Sequence, residues 1–263
     1  TGFFNNLVAS KIRKKYGLAK VFVAQNTLAH IPNINSVFKG VQKLLAMDGI
    51  MVTEDPYLPV MLQKGSYDQI YDEHVFILSL TAMKNMCAKF NLEVFDIEKL
   101  DTAGGSLRYY ICRYNTYKVS SKVKKQIIFE KKLKLKNLNT YIKFKKKCEE
   151  SKLNLVNLLK LLKKNNKTIA GYGATSKSTT IFNYCGINSK LIDYITDTTH
   201  TKINKFSPGT HIPIKSHRYF EKNYPDYSLL LAWNHKNEIF KKEKNYYSKV
   251  GKWIVHLPKL KIL

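Results

Sequence analysis

The sequence predicts an α/β protein with two Rossmann-like domains, and three observations support this prediction. From residue 168 onward, short apolar strands alternate with helices, which is the pattern of a doubly wound parallel sheet. Before that point, buried strands at residues 21–24 and 49–54 each follow an amphipathic helix. The chain has 263 residues, of which 44% are hydrophobic, and this is enough to build two cores.

The formal net charge of +26 is typical of nucleic-acid-binding proteins. Nearly all of the excess is lysine, however, and it is spread along the chain among many asparagines and isoleucines. Arginine binds phosphate and guanine with two parallel hydrogen bonds, which lysine cannot do. It occurs only at Arg13, Arg108, Arg113 and Arg218. No zinc-finger, RNP-like or basic-zipper pattern occurs. A genome-wide bias toward Lys, Asn and Ile codons would give the same composition without any partner, so no nucleic-acid partner is predicted.

Cysteine spacing and hydropathy argue against disulfide-linked, zinc-binding, membrane-spanning and secreted proteins. Cys87, Cys112, Cys148 and Cys185 are far apart and form no CxxC pair, which favours reduced, buried thiols over disulfides or a zinc site. No apolar run approaches the roughly 20 residues of a membrane span, and no secretory signal opens the chain. We therefore expect a cytoplasmic location, no metal site in this chain and no membrane partner.

The first half of the chain reads as alternating helices and strands that end in a hairpin. Amphipathic or apolar periodicity predicts helices at 3–16, 35–47 and 79–90, and strands at 21–24, 49–54, 92–100 and 106–114. Asp48-Gly49 and Gly104-Gly105 are predicted turns.

Polar residues follow each of the first two strands. Asn26 and His30 follow the first, and Glu54, Asp55 and Tyr57 follow the second. In open α/β sheets, ligands bind at these carboxyl ends of strands. The alternative for each is a capping or turn role, since Asn and Asp are good turn residues.

Residues 66–74, SYDQIYDEH, hold the densest group of proton-transferring side chains. Tyr71, Glu73 and His74 place a phenol, a carboxylate and an imidazole within four residues, between apolar flanks. Such groups donate, accept and transfer protons near neutral pH. The alternative is a loop whose polar residues face water.

A lysine-rich stretch separates the two halves. Residues 118–150 mix lysines with regularly spaced apolar residues, which predicts a long surface helix or a helix pair, and a further helix follows at 153–164. The charge is interpreted as a solvated face. The predicted domains are therefore 1–117 and 166–263, joined by a helical linker at 118–165.

In the second domain, GYGATSK (171–177) places Gly171 and Gly173 between a strand and a helix. Small residues there let a phosphate approach backbone N–H groups and the positive end of the helix, and Lys177 could add a charge. A third glycine of the dinucleotide fingerprint is absent. Asp197, at the end of the next strand, lies near the position of a ribose-binding acid. A tight turn without a ligand is equally compatible with the pattern.

Several motifs now match one family, in this order: NTLAHI, GIMVTEDPYL, SYDQIYDEH, AGGSLR, GYGATSK with FNYCGI, SPGTHIPI and LLLAWNHKNEI. Together they resemble the sugar C-methyltransferases, which use S-adenosylmethionine to methylate a carbon of a nucleotide-linked keto-deoxysugar. The resemblance spans nearly the whole chain. It implies a methyltransferase domain and a Rossmann-like C-terminal domain, with the sugar nucleotide between them.

The resemblance also implies roles for individual residues. His74 matches the general base, with Tyr71 and Glu73 as its partners; His30 matches a further active-site histidine, and Asn26 a neighbour of the cofactor. The residues that it assigns to contact with the nucleotide-linked sugar are Gly171, Gly173, Lys177, Asp197, Thr210 and His211. Tyr57, which follows the second strand, is also predicted to contact the substrate.

This chain departs from the family pattern at three places. Asp72 replaces a histidine of the Tyr-His-Glu-His stretch, and Thr175 and Ser178 replace a proline and a glycine. The family's zinc-binding cysteines and Gly-rich cofactor turn are not found. We therefore expect the first domain to be the C-terminal part of a class I methyltransferase domain, with zinc only in a missing N-terminal region. The alternative function is an inactive, truncated module that binds a nucleotide-linked sugar.

Overall fold

The computed structural model describes residues 2–249 and 251–263, which form two compact units. The first comprises Thr1–Met61 and Asp72–Thr140, and the second comprises Leu62–Tyr71 and Tyr141–Leu263. Each has its own buried apolar core and its own sheet of mostly parallel strands. The predicted α/β class is confirmed at this level.

The order of elements up to the lysine-rich stretch follows the prediction closely. The elements are α1 (Asn6–Tyr16), β1 (Ala19–Gln25), α2 (Ile34–Leu44), β2 (Leu45–Pro56), α3 (Leu58–Lys64), α4 (Leu80–Lys89), β3 (Leu92–Leu100), β4 (Ser106–Arg113) and α5 (Ser121–Lys132). Side chains cap the amino ends of the helices: Asn5 caps α1, Asn33 caps α2 and Ser79 caps α4. Each accepts a hydrogen bond from a backbone N–H that lacks a helical partner.

The sheet of the first unit has the order β1-β2-β4-β3. Strands β1 and β2 are parallel, with Gln25 beside Glu54, so their carboxyl ends lie at the same edge. Strand β4 is antiparallel to both of its neighbours. The predicted turn at Asp48-Gly49 was wrong, because β2 already begins at Leu45 and passes through these residues as an irregularity in the pairing with β1. Only glycine fits at position 49, since a Cβ there would lie 2.8 Å from the carbonyl oxygen of Ala19.

The lysine-rich stretch forms a helix pair, α5 and α6 (Leu138–Lys164). The predicted interruption before residue 153 was wrong, since α6 is continuous. Helix α5 buries Val123 in the core of the first unit, whereas α6 buries Leu155 and Leu159 in the core of the second. The compact units thus divide the stretch between Thr140 and Tyr141.

The second unit continues with β5 (Ile169–Tyr172), α7 (Ser176–Cys185), β6 (Tyr194–Asp197), β7 (Ile214–Ser216), α8 (His217–Lys222), β8 (Tyr227–Leu230), α9 (Lys236–Lys242), α10 (Lys244–Lys249), β9 (Lys252–Val255) and β10 (Lys261–Ile262). The short strands β7 and β10 were not predicted. The helical segment that precedes β9 is divided into α9 and α10 at Glu243.

The sheet of the second unit has the order β10-β9-β8-β5-β6-β7, in which all strands but β10 are parallel. The chain moves from β5 to β6 and β7 on one side and then returns to β8 on the other. The strand order therefore reverses between β5 and β8, and the carboxyl ends at such a point form a crevice.

Two further observations concern the cysteines and the hydropathy of the helices. The four cysteines are all buried and unpaired by disulfides, as predicted. Among residues 2–249 and 251–263, no helix has both the length and the hydropathy that a bilayer crossing requires.

Candidate active site and nucleotide cavity

The carboxyl ends of β1 and β2 present a group of polar side chains. Asn26 directly follows β1 with a left-handed backbone (φ 47°), a conformation that asparagine adopts more readily than most residues. Its backbone N–H donates to the carbonyl oxygen of Glu54 at 2.7 Å, so the turn is tied to the end of β2. The Asn26 side chain is exposed.

Asp55 lies beneath the short turn of 3₁₀ helix Leu28–His30. Its side chain is 0% exposed and accepts hydrogen bonds at 3.0 Å from the Ala29 N–H and at 3.0 Å from the Thr53 hydroxyl. Burial raises the pKa of Asp55 to about 6, and these two donors oppose the rise. Asp55 thus fixes the turn that carries His30.

Two imidazoles meet above this turn. The ring centroids of His30 and His74 are 4.9 Å apart, and their planes are inclined by 50°. The Nδ1 atom of His30 lies 2.8 Å from the carbonyl oxygen of Glu73. Because a carbonyl can only accept, Nδ1 carries the proton of the neutral ring, and Nε2 keeps its lone pair. The structure therefore brings together His30, His74 and the backbone of Glu73.

Backbone hydrogen bonds hold the segment that carries His74 against the same turn. The N–H groups of Val75 and Phe76 both donate to the Ala29 carbonyl oxygen, at 2.9 and 3.2 Å. The Glu73 side chain is exposed, as is Asp72. Tyr71 is half-buried and groups with the second unit by its contacts.

Tyr57 occupies a different environment from the other predicted site residues. It is 1% exposed, and its hydroxyl donates to Glu130 at 2.6 Å and accepts from Gln126 at 2.7 Å. Burial and the nearby carboxylate raise the pKa of Tyr57. This geometry favours a packing role for Tyr57.

Glu54 and Arg108 form an ion pair that the sequence did not reveal. Glu54 is 2% exposed and accepts from Nε and Nη2 of Arg108 at 3.2 and 2.9 Å, and from the Thr102 hydroxyl at 2.6 Å. The two residues are opposite each other in the β2–β4 pairing. The pair fixes the end of β2 from which Asp55 projects.

Stability of the first unit should fall with rising pH because of Asp55. Its folded-state pKa lies above the ordinary value of 3.8, so its favourable contribution is present at low pH and is lost as the pH rises through about 6. Asp55→Asn keeps an acceptor for the Ala29 N–H and cannot ionise. Between pH 4 and pH 8, the wild type should lose about 2 kcal/mol more than this variant. Urea unfolding at pH 4 and pH 8 measures this change in the free energy of unfolding, and the exposed Asp101→Asn is the control. An equal change in the wild type and in Asp55→Asn would contradict the prediction.

The second unit has a cavity of about 320 Å³ at the carboxyl ends of β5, β6 and β8. Gly173, Asp197 and His217 contribute to its lining. Gly173 has a positive φ of 96°, which glycine tolerates without strain. The Asp197 carboxylate accepts from the N–H groups of Ala174 and Thr199, each at 2.7 Å, and so holds the Gly173 turn in place.

Thr175 and Ser178, which replace a proline and a glycine of the family pattern, form the cap of α7. The Thr175 hydroxyl accepts from the Ser178 N–H at 3.1 Å, and the Ser178 hydroxyl donates to the Thr175 carbonyl oxygen at 2.6 Å. The departures thus preserve a defined helix start at this cavity.

Gly171 and Lys177 have other surroundings and are not among the described residues that line the cavity. Gly171 is buried in the sheet, where an added Cβ would lie 2.9 Å from Leu231. The Lys177 ammonium lies 5.5 Å from the ring centroid of Trp233 and 3.4 Å from the Asn234 amide oxygen. Burial lowers the pKa of Lys177, while the Asp68 carboxylate opposes this shift.

Thr210 and His211 lie in the loop that enters the amino end of β7, whereas Gly173 and Asp197 follow carboxyl ends of parallel strands. The Thr210 hydroxyl pairs with that of Ser207 at 2.8 Å, and His211 is exposed with a positive φ of 51°. The structure therefore does not bring these two residues to the cavity.

A family model described as the C-methyltransferase C-terminal domain matches residues 101–258. The C-methyltransferase NovU of Streptomyces niveus is 32% identical over 261 residues, which cover 99% of this chain and 62% of that protein. The chain thus spans less than two thirds of the length of this relative. Among the described residues, no group of three or more His, Cys, Asp or Glu side chains is arranged to hold a metal ion.

Proposed function

The chain belongs to the sugar C-methyltransferase family, and on this premise we propose that it serves S-adenosylmethionine-dependent C-methylation of a nucleotide-linked keto-deoxysugar. The observation that carries the proposal is the imidazole pair of His30 and His74 at the turn that follows β1. In this proposal the first unit is the C-terminal part of a class I methyltransferase domain, and the second is a Rossmann-like domain that holds the nucleotide.

His74 is the proposed general base. A carbon next to a ketone must lose a proton before it can be methylated, and an imidazole is suited to remove it near neutral pH. The His30 ring lies beside that of His74, and the Glu73 carbonyl oxygen holds the His30 ring in place through Nδ1.

Two further side chains support the proton transfer in this proposal. Tyr71 can donate a hydrogen bond to the developing enolate oxygen, an interaction often worth about 3–4 kcal/mol. Glu73 can hold a sugar hydroxyl or orient the base through its exposed carboxylate. Its carbonyl already fixes the tautomer of His30.

The polar residues at the end of β1 fit part of an S-adenosylmethionine site. Asn26 presents an exposed amide from a constrained left-handed turn, which can bond to the polar groups of the cofactor. When bound, the cofactor supplies an electrophilic methyl group. The residues of this chain orient the sugar toward that group and remove the proton.

For the nucleotide, the proposal assigns Gly173 and Asp197 in the second unit. The turn at Gly173 leaves room for a phosphate near backbone N–H groups, and the Asp197 carboxylate keeps capacity to accept a ribose hydroxyl. Gly171 then acts through packing, and Lys177 through long-range charge. Thr210 and His211 remain predictions from the family pattern, with no role in this mechanism.

Solvent exchange of the sugar α-proton tests the proposal. The chain is incubated in D₂O with a thymidine-diphosphate-linked keto-deoxysugar, and NMR follows loss of the α-proton signal before and after addition of S-adenosylmethionine. Exchange should exceed that in buffer, and a new methyl signal should follow cofactor addition. Exchange no faster than in buffer would contradict the proposed base.

The second candidate is a module that binds the nucleotide-linked sugar without methylating it. It is favoured by the cavity at Gly173 and Asp197, whose described lining residues all belong to the second unit. Calorimetry separates the two candidates. The binding module should bind the thymidine-diphosphate-linked sugar but release no heat with S-adenosylmethionine, and it should catalyse no exchange.

A further inference from the structure

The second unit has another, larger cavity, of about 970 Å³, which we term the lysine cavity. It lies between the middle of α6, Trp233 and the C-terminal residues 255–263. It shares no described lining residue with the cavity at Gly173 and Asp197. Its volume is in the range of sites that hold cofactors and drug-sized ligands.

The charge of this cavity is one-sided. Five lysines contribute to the lining: Lys64, Lys147, Lys236, Lys259 and Lys261. Glu150 is the only acidic side chain among the described residues that line it, and that side chain is exposed. Several ammonium groups around one concave surface raise the local concentration of anions. The cavity is therefore suited to a ligand with more than one negative charge.

His256 adds a second, independent sign of a ligand. It lines the cavity directly after β9, is 1% exposed, and has no hydrogen-bond partner for either ring nitrogen among the described residues. Burial lowers its pKa to about 3, so the ring is neutral and offers one donor and one acceptor. Buried polar groups without partners are costly and rare in folded proteins.

Apolar residues form the remaining wall. Trp233, Leu257 and Leu260 line the cavity beside the polar groups. Inorganic phosphate would satisfy the lysines but would leave this wall and His256 without contacts. A matching ligand has a polyanionic group, neutral polar groups and an apolar or planar body.

We propose that the lysine cavity binds a nucleoside diphosphate, with its diphosphate among the lysines and a neutral polar group of the nucleoside or sugar bonded to His256. This nucleotide is a free one that occupies a second site, because the nucleotide of the sugar substrate is assigned to Gly173 and Asp197. The inference therefore does not depend on the proposed function.

Calorimetry with thymidine diphosphate tests the cavity at about 0.15 M salt, where nonspecific attraction is screened beyond about 8 Å. The test variant is Lys259→Glu with Lys261→Glu, both exposed in the structure. The matched control is Lys160→Glu with Lys190→Glu, which makes the same change in net charge at exposed positions outside the cavity. The dissociation constant should rise at least about ten-fold in the first variant and less than about two-fold in the second.

Equal weakening in both variants would mean that only the overall charge of +26 attracts the nucleotide, and it would overturn the proposal. No weakening in either variant would do the same. A measurement without any variant adds to this test: the ring ¹⁵N signals of His256 should shift when thymidine diphosphate binds. Unchanged signals at saturation would overturn the assignment to His256.

The α-proton exchange assay tests whether the cavity is separate from the substrate site. The KM for exchange should stay unchanged in the Lys259→Glu, Lys261→Glu variant while thymidine diphosphate binding is lost. A KM that rises along with the dissociation constant would overturn the proposal, since the cavity would then hold the substrate's nucleotide. Because calorimetry needs no turnover, failure of the proposed function would leave this test intact.

Discussion

Replacement of His74 by alanine is expected to reduce α-proton exchange by about 10²–10⁴-fold, the range that general acid–base catalysis supplies. The ring of His74 lies 4.9 Å from that of His30, at strand ends where the substrate is proposed to bind. Alanine removes the proton acceptor without adding bulk. Affinity for the nucleotide-linked sugar should change by less than about three-fold, because nucleotide binding is assigned to the second unit.

The matched control for this prediction is His211→Ala, an exposed histidine in the loop before β7. It should leave exchange at saturating substrate unchanged. His30→Ala should have an intermediate effect on exchange, since His30 packs against the ring of His74 instead of removing the proton. Undiminished exchange in His74→Ala would exclude His74 as the base. An equal loss of exchange in His211→Ala would show that the loss does not come from removing the proton acceptor.

Local signals in the sequence predicted most of the elements. The alternating pattern of residues 92–100 gave the bounds of β3 as the structure has them, and Thr175 and Ser79 cap helices close to where their starts were predicted. These features depend on neighbours within a few residues. The short strands β7 and β10 were missed because two or three residues carry too little periodicity to be recognised.

The residues of the candidate site could be predicted from the sequence, but the contacts between them could not. His30 and His74 were both singled out, yet their contact joins residues 44 positions apart, and the bond from His30 uses the backbone of Glu73, which has no sequence signature. The burial of Tyr57 likewise depends on Glu130 in α5, a helix that the lysine pattern assigned to a linker. Pairings between distant residues are set by tertiary packing, which periodicity does not encode.

Replacement of Glu130 by alanine is expected to destabilise the first unit by roughly 4 kcal/mol. Glu130 is 2% exposed and accepts from the Tyr57 hydroxyl at 2.6 Å, the Leu80 N–H at 2.7 Å, the Thr81 N–H at 2.8 Å and the Thr81 hydroxyl at 2.5 Å. Alanine leaves these buried or half-buried donors without their acceptor, including the first N–H groups of α4. Glu130→Gln keeps one carbonyl acceptor and should cost about half as much.

The positions of the two tryptophans allow the stability of the first unit to be measured separately from that of the second. Both tryptophans, Trp233 and Trp253, belong to the second unit, so their fluorescence reports that unit alone. Hydrogen exchange of the β2 and β4 amides reports the first unit. Glu130→Ala should lower protection in those strands and leave the fluorescence transition in urea unchanged, whereas Lys125→Ala on the exposed face of α5 should alter neither. Unchanged β2 and β4 protection in Glu130→Ala would show that α5 contributes no stability to the sheet that carries the two histidines.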